Sequence, residues 1–210
     1  MGSSSRQSGR NLGRPFFGSS PFLTPFALPV QPILESLSLS PGSVVLELGA
    51  LACRFTLPIA RYIATKSGDG SVYACDFKEE GVTRTFQKAK DAHLNHLVVP
   101  LFWNADSPFR VPLENESVDV IITISAPLFR KTGEAYVEEC LRVLYPGGKL
   151  FIAEWRDAKR ALSQDDSESE VPKDTAWQML TGTHRTVCRA VNIPELEWAV
   201  LIEKHEHPIF

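Results

Sequence analysis

An α/β sandwich on a mostly parallel sheet is the fold class the sequence predicts, and three observations predict it. Short, nearly continuous apolar runs, above all Val44–Leu48 and Val118–Ile124, suit strands buried on both faces of a parallel sheet. They alternate with segments whose apolar residues fall at helical spacing, such as Val30, Ile33, Leu34 and Leu37. Near the end, two alternating stretches, about 185–191 and 196–204, flank Asn192-Ile193-Pro194 and read as a closing antiparallel hairpin. Strand and helix in turn, then a hairpin, describe helices packed on both faces of one sheet.

Bulk properties narrow the class further. The chain of 210 residues is close to single-domain size, and its hydrophobic content of 43% is ordinary for a globular protein. A net charge of -3 gives no sign of a nucleic-acid footprint, which calls for a clustered basic face. No apolar run approaches the length of a bilayer span. Cys53, Cys75, Cys140 and Cys188 are scattered without a Cys-x-x-Cys pair, which suits free thiols in a reducing, cytoplasmic compartment.

Residues 1–28 read as an N-terminal arm and 29–210 as one domain. The arm carries Arg6, Arg10 and Arg14 and no acid, since Glu35 is the first in the chain. That composition has the flavour of a mitochondrial transit peptide, whereas Pro15, Pro21 and Pro25 oppose the amphipathic helix of such signals. Phe16, Phe17, Phe22 and Phe26 leave open an aromatic lid over the sheet edge.

The chain in order then builds a candidate site. A helix from about 29 to 39 precedes the Pro41-Gly42 turn and the first strand, which ends on Glu47 and meets Gly49. Strand, acid, glycine turn and helix place a nucleotide-like ligand at the carboxyl edge of a sheet. The second strand, from Ser71, ends on Asp76. A nucleotide-binding unit sets an acid about 20 residues beyond its glycine turn, where a carboxylate accepts both ribose hydroxyls. A third strand, about 97–103, runs into Asn104-Ala105-Asp106, and a fourth, 118–124, into Ser125. A helix over about 132–144 is stopped by Tyr145-Pro146-Gly147-Gly148, and a fifth strand covers 149–155. No metal site is expected: His93 and His96, or His205 and His207, lack further ligands at tetrahedral spacing.

Three passages carry a family resemblance. Glu47-Leu48-Gly49-Ala50-Leu51-Ala52-Cys53 resembles the Asp/Glu-x-Gly-x-Gly-x-Gly motif of class I S-adenosylmethionine-dependent methyltransferases, with Leu51 and Cys53 at the second and third glycine positions. Ser117-Val118-Asp119-Val120 is similar to the start of that family's fourth strand. Leu141-Arg142-Val143-Leu144-Tyr145-Pro146-Gly147-Gly148 resembles its Leu-x-Pro-Gly-Gly signature. The resemblance spans about 29–204 and is nearest to the small quinone-biosynthesis-type enzymes. It implies a Rossmann-like methyltransferase fold, a three-layer sandwich with seven strands in the order 3-2-1-4-5-7-6, the last antiparallel.

The same resemblance implies S-adenosylmethionine as cofactor and a small-molecule acceptor. Glu47 would orient the methionine end, with the Gly49-Ala50-Leu51 turn passing beneath the cofactor. Asp76, beside Phe77, would take the ribose, and Asn104, Ala105 and Asp106 the adenine, while Ser125 stands where the methyl group is presented. No catalytic residue is implied, because transfer from a sulfonium needs mainly in-line alignment. Leu51 and Cys53 support an alternative, a methyltransferase-like scaffold or binding protein that has lost normal cofactor binding. A nicotinamide-dependent oxidoreductase fits less well, since the Gly-x-Gly-x-x-Gly fingerprint is absent.

Overall fold

The computed structural model of the chain describes residues 30–50, 53, 55–66, 69–103, 110–124, 133–155, 173–181 and 186–205. The N-terminal arm expected over 1–28 lies outside them. The elements are α1 (Val30–Leu37), β1 (Val44–Leu48), α2 (Thr56–Lys66), β2 (Ser71–Asp76), α3 (Glu79–Asp91), β3 (Val98–Phe102), β4 (Val118–Ile124), α4 (Glu134–Val143), β5 (Leu144–Trp155), α5 (Lys173–Thr181), β6 (Thr186–Ala190) and β7 (Leu196–Lys204).

The seven strands form one sheet in the order β3-β2-β1-β4-β5-β7-β6. Neighbours from β3 through β5 are parallel, and β7 runs antiparallel to both β5 and β6. This is the expected order, with the expected antiparallel seventh strand.

Why the central strands read as unbroken apolar runs is visible in the two cores. Val45, Val72, Ile122 and Phe151 face one cluster together with Ile33 of α1, Ile59 and Ile63 of α2, and Ala89 of α3. Leu46, Leu48, Ile121, Leu150 and Ile152 face the other, with Tyr136, Val137 and Leu141 of α4 and Leu180 of α5. Successive strand residues point to opposite faces, so a sheet covered on both sides needs apolar residues at consecutive positions. Fully burying one such Ile or Leu contributes about 1.5–3 kcal/mol.

One boundary differs from the sequence reading. Tyr145-Pro146-Gly147-Gly148 does end the helix, but it lies inside β5 rather than ahead of it. Leu144 already pairs with Val118, and a register shift follows before Lys149 pairs with Val120. Gly147, at φ 78°, carries the irregularity. Among the described residues, no helix is long and apolar enough to cross a membrane.

Candidate functional site

Parallel strands deliver their carboxyl ends to one edge of the sheet, where β1, β2, β4 and β5 finish side by side. The first of these, β1, ends on Glu47-Leu48 and turns at Gly49, whose φ of 78° lies in the left-handed region that favours glycine. Both Gly49 and Ala50 direct their N–H groups to the Cys75 carbonyl at 3.0 Å, which fastens the turn to β2. A β-carbon added at Gly49 would meet no described atom within 4 Å.

Glu47, two residues ahead of Gly49, is buried at 3% exposure. Its partners come from the start of α2: the Thr56 hydroxyl donates to Oε2, and the Phe55 N–H donates to Oε1 at 3.4 Å. The carboxylate thereby satisfies donors that a helix start otherwise leaves open. Burial pushes its carboxyl up to about 7, and the nearby negative charge of Asp76 adds to the rise against the lowering effect of the hydrogen bonds. Beside Glu47 a small recess, with a cavity volume of about 10 Å³, is lined by Gly49, Phe55, Ile122, Ile124 and Trp155. Phe55 and Trp155 stack across it with ring centroids 6.4 Å apart.

Asp76 ends β2 half-buried, and its Oδ1 accepts the Lys78 N–H at 3.0 Å. Phe77 packs against Trp103 at 5.2 Å, and Trp103 in turn lies 6.5 Å from Tyr136. An aromatic wall therefore follows the carboxyl ends of β2 and β3. On the α4 side the buried hydroxyls of Thr123 and Tyr136 bond at 2.8 Å.

Of the expected site residues, the structure brings Glu47, Gly49, Ala50, Asp76 and Phe77 to one edge. Leu51, Asn104, Ala105, Asp106 and Ser125 lie outside the described residues. Cys53, read in the sequence as a bulky departure at a glycine position, has φ 69° and is 5% exposed. Its thiol donates to the Thr85 hydroxyl of α3 at 3.2 Å. That side chain fills the helix contact on its own side of the turn. Burial raises the thiol above its ordinary range, keeping it protonated and a donor.

Sequence reasoning missed Thr56, Phe55, Trp155 and Glu154. The last is a buried acid at the carboxyl end of β5, and it accepts the Trp155 N–H at 3.3 Å. A threonine opening the helix that follows an acid-ending strand was the available signal for Thr56. Among the described residues, no group of three or more His, Cys, Asp or Glu could hold a metal ion.

Comparisons with known proteins agree with this architecture. A family model described as a methyltransferase domain matches residues 46–152, just over half of the chain. None of the curated proteins matches in sequence. A SAM-dependent methyltransferase from Aquifex aeolicus superposes with a TM-score of 0.59 at 22% identity, covering 83% of this chain and 89% of that one. A putative S-adenosyl-L-methionine-dependent methyltransferase from Methanococcus maripaludis gives 0.65 at 17% identity, with 87% and 88% covered. The [4+2]-cyclase SpnF gives 0.63 at 15% identity, with 82% and 79% covered, so this fold also supports other chemistry. With the domain match running from β1 into β5 and the strand order complete, the chain belongs to the class I methyltransferase family, whose cofactor is S-adenosylmethionine.

Proposed function

We propose that this protein transfers a methyl group from S-adenosylmethionine to a small-molecule acceptor at the carboxyl edge of its sheet. The observation that carries the reading is a buried acid, Glu47, two residues ahead of a left-handed glycine turn at which a β-carbon would meet no described atom. These residues fit the cofactor: a bare backbone admits a close ligand, and two carboxylates suit a ligand bearing positive charge and a diol. When bound, the cofactor supplies an electrophilic methyl carbon on a cationic sulfur.

The chain's own residues bind and orient. Gly49 and Ala50, fastened to β2, keep the turn low, and Glu47 holds that turn on the start of α2 while offering negative charge from below. Asp76 is the acceptor for ribose hydroxyls, and Phe77, backed by Trp103, is a flat apolar wall for the base. Asp106, with Asn104 and Ala105, is proposed for the adenine edge, Leu51 for the turn beneath the ligand and Ser125 for the methyl end. Phe55, Ile122, Ile124 and Trp155 make the recess apolar and exclude water from it.

The second reading is a scaffold without catalysis, favoured by Cys53, which holds a left-handed conformation where the family motif has glycine. Calorimetry with S-adenosylmethionine and S-adenosylhomocysteine separates the two. Saturable heat accompanied by a thermal shift supports methyl transfer. No heat and no shift at millimolar ligand supports the scaffold.

A further inference from the structure

Glu47 is buried, yet among the described residues no lysine, arginine or histidine forms an ion pair with it. Its immediate neighbours are neutral or negative. Strand β2 sets Ala74 beside it and, two residues on, the Asp76 carboxylate. Strand β4 contributes Ile122 and Ile124, β5 contributes Trp155, and the start of α2 contributes Phe55 and Thr56. The turn brings the Cys53 thiol, on which the Lys88 ammonium of α3 acts. A carboxylate in such a place carries a charge that nothing compensates, and taking up a proton removes it.

The partner at Oε2 accommodates that proton. A hydroxyl donates to a carboxylate and accepts from a carboxylic acid, so the contact with Thr56 survives in either state. Burial lifts the carboxyl to about 7, where both forms are populated near neutral pH. The same side chain lines the recess at the ligand edge, together with the aromatic rings of Phe55 and Trp155, whose faces attract cations. We propose that Glu47 exchanges a proton for its ligand: protonated in much of the free protein, it releases that proton to solvent when a positively charged group of the methyl donor binds at the carboxyl edge. The proposal rests on the methyl-donor reading and adds to it a coupling between binding and pH. One proton leaves as one positive charge arrives, and the only bond broken is the O–H of Glu47. The donor carries two such charges, its sulfonium and the ammonium of its amino-acid end.

The test is calorimetry of the full chain at about pH 6.5 in two buffers of different ionisation enthalpy, on wild type and Glu47→Gln. The ligands are S-adenosylmethionine, S-adenosylhomocysteine and 5′-methylthioadenosine, which has neither charge. Wild type should release about half a proton or more on binding S-adenosylmethionine, with affinity rising about fivefold from pH 6 to pH 8. The uncharged nucleoside should release less than about a tenth of a proton. Glu47→Gln, which keeps an acceptor for Thr56, should bind without release, its affinity constant to within about twofold over the same range. Release with both charged ligands supports the proposal and assigns the ammonium; release with S-adenosylmethionine alone supports it and assigns the sulfonium. Should Glu47→Gln fail to fold, the contrast among the three ligands on wild type decides the matter. Binding by wild type without proton release, equal release with the uncharged nucleoside, or release that persists in Glu47→Gln overturns the proposal and leaves the methyl-donor reading standing. Absence of binding of all three ligands by wild type overturns both.

Discussion

The two edges of the sheet treat their charged residues in opposite ways. At the amino edge, carboxylates meet cations or strand N–H groups. Asp119 of β4 accepts the Val44 N–H at 2.8 Å and seats the start of β1. Glu139 of α4 receives two nitrogens of Arg142, at 2.7 and 2.8 Å, and the Val111 N–H at 2.6 Å. Arg142 continues to the carbonyls of Val111 and Leu113 and to the Asn115 side chain, tying the approach to β4 onto α4. Lys204, at the end of β7, is buried yet bonds Glu116 and the Leu144 carbonyl. At the carboxyl edge, Glu47 is buried among a hydroxyl and backbone N–H groups, with another carboxylate nearby. One edge balances charge within the protein and holds the strands in place. The other keeps negative charge at a desolvation cost, which a cationic ligand offsets on binding.

Removing one partner of the amino-edge network should give the largest effect. Arg142→Ala strands Glu139, an acid at 8% exposure, and the expected loss is about 3–5 kcal/mol in urea denaturation. Affinity for S-adenosylhomocysteine in the folded fraction should stay within about twofold, because this network is at the opposite edge. A loss below about 1 kcal/mol, or a large drop in affinity, breaks the comparison.

Glu47 gives the next effect, and its sign is set by the raised carboxyl. From an ordinary value of 4.5 it rises to about 7 in the fold, so between those values the folded state holds more protons than the unfolded one. Its contribution to stability is fully present below the unfolded value and is lost as pH rises towards 7, by about 3 kcal/mol in all. Glu47→Gln should remove that slope, so stability measured from about pH 5 to pH 8 falls less steeply than in wild type. Parallel profiles for the two proteins would mean that burial does not raise the Glu47 carboxyl, and the contrast between the edges would fail.

Much of the fold was legible because its physics is local. Val44–Leu48 and Val118–Ile124 announce burial on both faces through consecutive apolar residues, and Asp76 marks where β2 reaches the ligand edge. The start of β5 was not legible: Pro146-Gly147-Gly148 has the composition of a helix stop, and only the Leu144–Val118 pairing shows strand before it. Within the site, Glu47 and Gly49 could be read from a strand ending in an acid and a turn. Phe55 and Trp155 could not, since they meet only because the sheet order sets β5 beside β4 and β4 beside β1.

A smaller test probes the carboxyl edge on its α4 side. Tyr136→Phe removes the hydroxyl that meets Thr123 at 2.8 Å and should cost about 1 kcal/mol in urea denaturation. Thr123→Val combined with Tyr136→Phe should recover part of that loss, because no hydroxyl is then left without a partner. A neutral single variant would mean that water already replaces the pair.

The smallest effect is expected at Cys53, and it is the most informative about the glycine motif. Two contributions oppose each other there. A non-glycine residue at φ 69° is strained by about 1–2 kcal/mol, which Cys53→Gly relieves. The same change removes a buried thiol and its bond to Thr85, and adds backbone entropy to the unfolded chain, together of similar size. Net stability should therefore move by less than about 1 kcal/mol. Affinity for S-adenosylhomocysteine should stay within about twofold, since Sγ faces α3 rather than the open side of the turn. A tenfold gain in affinity would show that the side chain at 53 does obstruct the ligand, and would place the cause of any weak cofactor binding in the turn itself.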